Sequence, residues 1–82
     1  MSPEQRFYGF CIGHGRKLTA RQSGVVRELF KFDKPFRVVS LLAELADAGV
    51  LVSRATLFRT IGLLNEAGMV RIDGDTYTLA RD

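Results

Sequence analysis

Residues 53–68 read SRATLFRTIGLLNEAG, and this stretch has the chemistry of a complete helix. Ser53 is a good N-cap, because its hydroxyl can accept a hydrogen bond from an N–H group of the first turn. Gly68 is a good stop, since helices often end at a left-handed residue that only glycine adopts cheaply. One face of the predicted helix is apolar and should lie on a core, with large residues at i, i+4 and i+7: Leu57, Ile61 and Leu64.

The opposite face of this predicted helix is thin and carries a positive charge. It holds Ala55, Arg59, Gly62 and Glu66, with Phe58 beside them. Gly62 costs roughly 1 kcal/mol of helix propensity relative to alanine. A helix that gives up stability to keep its outer face thin can lie deep in a groove, so we interpret it as the recognition helix of a DNA-binding domain. For this stretch alone, the alternative is an ordinary amphipathic helix on a core.

The composition describes one small domain that spans residues 1–82. The chain is 46% hydrophobic and 26% charged, with a net charge of +3. Its mean hydropathy is +0.04 and its pI about 9.5. These values exclude a disordered chain and are compatible with a polyanionic partner, although many small proteins are equally basic.

Cysteine content and hydropathy predict a cytoplasmic protein with no membrane contact. Cys11 is the sole cysteine, so an internal disulfide is excluded and a reducing compartment fits. No apolar run reaches the ~20 residues of a membrane span, and the first residues lack the pattern of a signal peptide.

The N-terminal segment, residues 1–14, is predicted to be a helix with an aromatic surface. Ser2 and Gln5 can form a capping box around Pro3. Its large apolar residues must either pack on the body of the domain or form a homodimer contact, for which the candidates are Phe7, Tyr8, Phe10 and Ile12.

Two more helices are predicted before residue 53. The second starts at Thr19, continues to about Phe32 and is ended by Asp33-Lys34-Pro35. Its predicted inner face consists of Val25, Val26, Leu29 and Phe30. The third runs from about Arg37, a poor cap, to Ala48. Its predicted inner face consists of Val38, Leu41, Leu42 and Leu45.

Strand signals flank and follow the Ser53 helix. Val50–Val52 could be a small strand or an extended connector. Residues 69–72 and 76–80 predict two strands joined by a turn at 73–75. The predicted fold is therefore mainly α with a small β-hairpin: a winged helix-turn-helix with an N-terminal helix (1–14), a three-helix core (19–68) and a two-stranded wing (69–80).

Two segments resemble the DNA-binding domain of the ferric uptake regulator family. SRATLFRTI at 53–61, continuing into LNEAGMV at 64–70, is similar to that family's recognition helix, and GRKLT at 15–19 to the start of its second helix. The resemblance covers about residues 10–80. It implies a bacterial-type transcription regulator that binds double-stranded DNA. The family's second domain, which supplies dimerisation and metal sites, has no counterpart here, so neither metal sensing nor any cofactor is implied.

The resemblance also suggests which residues bind DNA. Phe58 takes the place of an aromatic that contacts thymine, although the family more often has tyrosine there, and Arg59 that of a groove-reading arginine. Lys17 takes the place of a minor-groove residue, with Arg16 beside it. Gln22 occupies the position where the family has an arginine, which here comes one residue earlier, at Arg21. The full predicted set is Arg16, Lys17, Arg21, Ser53, Arg54, Thr56, Phe58 and Arg59.

The hairpin and the remaining polar residues give weaker signals. Arg71 and Arg81 could contact the DNA backbone, but Asp73 and Asp75 make the predicted tip acidic.

Cys11-x-x-His14 has the spacing of half a zinc site, yet the chain offers no further cysteine or histidine, so no metal site is predicted. No catalytic constellation is present, which argues against an enzyme. The competing function is a winged helix that docks onto another protein within an assembly.

Overall fold

The computed structural model describes residues 1–32 and 34–80, which form four helices and three short strands. In chain order these are α1 (Pro3–Gly13), α2 (Ala20–Leu29), β1 (Phe36–Arg37), α3 (Val38–Asp47), α4 (Arg54–Glu66), β2 (Val70–Asp73) and β3 (Thr76–Leu79). Asp33, part of the predicted helix break, and Arg81, a predicted backbone contact, lie outside the described residues. None of the helices in the described ranges combines the length and the apolarity that crossing a membrane requires.

Three of the four helices start at the hydroxyl caps predicted from sequence. Ser2 and Thr19 each accept a hydrogen bond from the backbone of the residue three positions on, and the side chains of Gln5 and Gln22 complete both capping boxes. Ser53 caps α4. Because these signals depend only on neighbouring residues, the helix starts are set locally.

The core is formed by one face of each helix together with the inner face of the sheet. The predicted stripe of α4 lies inside, with Leu57 and Leu64 fully buried and Ile61 nearly so. Thr60 is also fully buried, and its hydroxyl donates to the Thr56 carbonyl at 2.9 Å, which satisfies the polar atom. The other buried hydrophobic residues are Phe7, Cys11, Val25, Val26, Leu29, Phe36, Val38, Leu41, Leu45, Met69, Val70 and Leu79.

The sheet has three antiparallel strands in the order β1-β3-β2, so the prediction of a two-stranded wing was wrong. The additional strand pairs Phe36 with Tyr77 and Arg37 with Thr76. The Phe36 ring stacks on Tyr77, with centroids 5.9 Å apart. A two-residue strand is too short to show an alternating pattern, and its partner strand lies about forty residues away in the chain. No pattern of neighbouring residues therefore predicts this strand.

The segments around α3 differ from the prediction in small ways. α2 ends at Leu29 rather than near Phe32, and Phe30 is its C-cap. α3 begins at Val38, and Arg37 caps it without a side-chain hydrogen bond, as expected of a poor cap. Val50–Val52 forms no strand and lies in the connection between α3 and α4.

Helix α1 packs on the body of the domain. Phe7 and Cys11 are buried in the common core, and Tyr8 and Phe10 are partly buried against it. Ile12 is 80% exposed. Phe7 is therefore not part of the predicted homodimer surface, because its side chain is buried within its own chain.

Candidate nucleic-acid interface

The outer face of α4 is open to solvent along the residues predicted to contact DNA. Phe58 is 46% exposed, and Arg59 and Gly62 are exposed as well. A Cβ atom built on Gly62 would meet no other atom within 4 Å. The absence of a side chain at this position is therefore not required by packing inside the domain.

A shallow groove runs between α4 and the segment that leads into α2. Its lining includes Gly62 and three cations, Arg16, Lys17 and Arg59. One carboxylate, Glu66, lies among them. The complete lining is Gly15, Arg16, Lys17, Gln22, Arg59, Gly62, Leu63 and Glu66. Folding thus brings together three of the predicted basic residues from two distant segments.

Glu66, which the sequence placed on the outer face of α4, lines this groove and pairs with Arg16, a contact that the sequence did not predict. Its Oε1 lies 3.1 Å from Nη2 of Arg16, and both side chains are about half exposed. An exposed ion pair of this kind contributes about 0–1 kcal/mol to stability. It does, however, hold a carboxylate beside a residue predicted to contact phosphate. The two residues are fifty positions apart, so only the tertiary fold reveals the pair.

The N-terminus of α4 presents hydroxyl groups that are already hydrogen-bonded to one another. The Ser53 hydroxyl accepts from the Thr56 backbone N–H at 3.1 Å and donates to Oγ1 of Thr56 at 3.0 Å. Ser53 and Arg54 are exposed, whereas Thr56 is partly buried. Ser53 therefore has a structural role as a cap, whatever else it contacts.

A second depression lies on the other side of Phe58, between α3, the start of α4 and the hairpin. It is lined by Arg37, Val38, Val39, Ser40, Arg54, Phe58, Asp75 and Tyr77. Val39 is 68% exposed there, an apolar residue that the sequence did not single out. Nη2 of Arg37 lies 3.3 Å from Oδ2 of Asp75, so one of the two acidic charges at the hairpin tip is paired within the chain.

The remaining predicted DNA-binding residue, Arg21, is exposed in the first turn of α2 but does not line the groove. Gln22, the next residue, lines it instead and also closes the capping box. The predicted set is thus divided between the groove (Arg16, Lys17, Arg59), the far side of Phe58 (Arg54) and the helix starts.

Cys11 and His14 lie in different surroundings. Cys11 is buried, and this burial raises the pKa of its thiol, with Arg16 opposing the shift. The His14 ring is exposed and stacks on Phe10 at 4.1 Å between centroids, with Nδ1 3.0 Å from the Phe10 carbonyl oxygen. Within residues 1–32 and 34–80, no group of three or more His, Cys, Asp and Glu residues is placed to hold a metal ion.

Comparison of the chain with protein-family models and with curated proteins finds no match. The resemblance to the ferric uptake regulator family therefore rests on the motif residues themselves.

Proposed function

We propose that this domain is a winged helix-turn-helix that binds double-stranded DNA as a transcription regulator, with α4 in the major groove. The observation that carries the proposal is the open outer face of α4, which is thin at Gly62 and projects Phe58 and Arg59 to solvent. The motif resemblance to the DNA-binding half of a ferric uptake regulator supports it. The role is binding, with no enzymatic step and no resident cofactor.

In this proposal the side chains divide into base-reading and phosphate-binding groups. Arg59 would donate to guanine O6 and N7, and the Phe58 ring would contact a thymine methyl group. Arg16 and Lys17, which line the groove, would bind phosphates and fix the register of the complex. Arg71, exposed on β2, is a further candidate for backbone contact.

Titration of the protein with random duplex DNA at several salt concentrations tests the proposal. Binding should weaken as salt rises, because each neutralised phosphate contributes about −0.9 to the slope of log K against log salt. Lys17→Gln should lower the magnitude of that slope by about 0.9, the contribution of one phosphate contact. Lys31→Gln is the matched control: Lys31 is an exposed lysine of the segment after α2, paired with Glu28 outside the groove. The proposal would be contradicted if the protein showed no binding to duplex DNA even at low salt.

Arg59 distinguishes base reading from general attraction to phosphate. After selection of a preferred sequence, Arg59→Ala should cost about 1–3 kcal/mol of specific binding. The melting temperature of the Arg59→Ala variant should stay near that of the parent chain, since Arg59 is exposed. A large loss of stability instead would assign the arginine a structural role.

The alternative, a winged helix that docks onto another protein, is favoured by one observation. Val39 and Phe58 expose apolar surface around the same depression, and Arg37 and Asp75 at its edge neutralise each other. Such a surface suits a protein partner better than a phosphate backbone. A docking module of this kind would show almost no salt-dependent DNA binding, so the titration above separates the two functions.

A further inference from the structure

The outer strand of the sheet, β2, has an unpaired edge with a half-exposed apolar residue. In the order β1-β3-β2, β2 pairs on one side only among the described strands. Val70 is buried, but Arg71, Ile72 and Asp73 are exposed, and the exposed fraction of Ile72 is 49%. An open edge presents free N–H and C=O groups to which another strand can pair.

The register shows which backbone groups point outward. The Ala80 N–H donates to the Met69 carbonyl at 2.9 Å, so residues 69 and 80 occupy a hydrogen-bonded position of the ladder, although the Met69 N–H donates to the Leu64 carbonyl. Hydrogen-bonded and non-hydrogen-bonded pairs alternate along antiparallel strands. Ile72, opposite Tyr77, therefore belongs to a non-hydrogen-bonded pair. Its N–H and C=O are directed away from β3, toward the free edge.

This edge is complementary to itself. When an identical strand runs antiparallel with the two-fold axis at Ile72, that residue exchanges both backbone hydrogen bonds with the partner's Ile72. Arg71 then lies opposite the partner's Asp73, and Asp73 opposite the partner's Arg71. These flanking positions are non-hydrogen-bonded pairs, in which side chains approach most closely. Two opposite-charge pairs and one apolar pair thus form in a single register.

We propose that β2 is a homodimerisation edge, and that a second copy of this chain pairs with it through Ile72 to form a continuous six-stranded sheet. Charges on an edge strand usually prevent association, because like charges on two copies meet and repel. Here the charges on either side of Ile72 have opposite signs, so the two-fold arrangement makes them attract. The same contact would cover Ile72, which explains why an apolar residue is half exposed on this strand in the single chain.

Charge exchange tests this proposal on the full chain in the absence of DNA. Sedimentation equilibrium from micromolar to millimolar protein should show a monomer–dimer equilibrium for the parent chain. Arg71→Asp places two carboxylates opposite each other at both flanking pairs, and should raise the dimer Kd by about tenfold or more. Asp73→Arg should do the same with two guanidinium groups. The double variant Arg71→Asp/Asp73→Arg restores opposite charges and should return the Kd to near its original value.

Two further variants locate the contact. Ile72→Pro removes the outward N–H but no hydrogen bond to β3, so the folded monomer should persist by circular dichroism while the dimer is lost. Ile12→Glu, on the exposed side of α1, should leave the dimer intact. The proposal is overturned if the parent chain is monomeric throughout, if the double variant fails to recover association, or if only Ile12→Glu abolishes it.

Discussion

Gly62 lies in the middle of α4, on the solvent side, where a methyl group would meet no neighbouring atom. Gly62→Ala should therefore raise the free energy of unfolding by roughly 1 kcal/mol, the propensity difference between the two residues. The melting temperature should rise by about 4–8 °C for a domain of this size. If α4 enters a DNA groove along this thin face, the same variant should bind duplex DNA more weakly.

Gly9→Ala is the control for that experiment. Gly9 lies inside α1 and also has open space around its Cβ position. Gly9→Ala should therefore give a comparable gain in stability, with no change in DNA binding. Stabilisation by Gly62→Ala with DNA affinity unchanged would mean that the thin face is not the contact surface.

Glu66 lowers the positive charge of the groove, and its removal should strengthen DNA binding. Glu66→Gln removes the negative charge beside Arg16, which leaves the guanidinium available to phosphate. We expect random-duplex affinity to rise by about threefold to tenfold at low salt, and the salt slope to steepen by about 0.9. Fluorescence anisotropy across a salt series measures both quantities.

Glu28→Gln removes the same charge from an ion pair outside the groove, the one with Lys31. It should have little effect on DNA affinity. Weaker binding by Glu66→Gln would indicate the opposite role, in which the ion pair positions Arg16 for the contact.

The N-terminus of α4 has a structural role and a proposed binding role, and two substitutions separate them. Ser53→Ala removes the cap and should cost about 1 kcal/mol of stability. Ser53→Asp keeps a capping oxygen and suits the positive end of the helix dipole, so thermal unfolding should be close to that of the parent chain. Its carboxylate would, however, repel an incoming phosphate and weaken DNA binding.

Ser2→Asp makes the same exchange at the α1 cap, which also accepts a backbone hydrogen bond. It should preserve both stability and DNA binding. If Ser53→Asp binds DNA as well as the parent chain, the start of α4 does not contact phosphate.

Elements whose signals are local were predictable from the sequence, and those that depend on distant contacts were not. Capping chemistry at Thr19 and Ser53 gave correct helix starts, and the apolar stripe of α4 gave its buried face together with the exposure of Phe58 and Arg59. Strand β1 exists because Phe36 packs against Tyr77. The Arg16–Glu66 pair likewise depends on how the segment before α2 crosses α4. Neither contact leaves a pattern in neighbouring residues.

At the scale of the whole molecule, one copy is small relative to a regulatory DNA site. Its longest dimension is 31 Å, slightly less than the ~34–36 Å of one turn of DNA. A single module of this size buries little DNA surface, so useful affinity is expected to require a second copy or another partner. Pairing at β2 would supply a two-fold axis, and with it two copies of α4 for a palindromic site.

Docking of α1 onto the rest of the domain should make the stability of the whole fold sensitive to alkaline pH. Burial raises the pKa of the Cys11 thiol above its ordinary value of 9.0. Burial, with the nearby Glu4 carboxylate 3.2 Å from the hydroxyl, raises the pKa of Tyr8 above 10.0. Both groups bind their proton more tightly in the folded state. Their contribution is therefore fully present below the unfolded pKa values and is lost as pH rises through the folded ones.

Urea unfolding at a series of pH values measures this effect. The contribution of these two groups to the free energy of unfolding should be constant up to about pH 8 and should decrease above about pH 9. In Cys11→Ala, the first part of that decrease should disappear even if the absolute stability changes, because the alanine has no proton to lose. Tyr8→Phe should remove the later part in the same way. If both variants keep the full alkaline slope, ionisation elsewhere in the chain causes it, and burial of these two α1 side chains against the body of the domain does not control its stability.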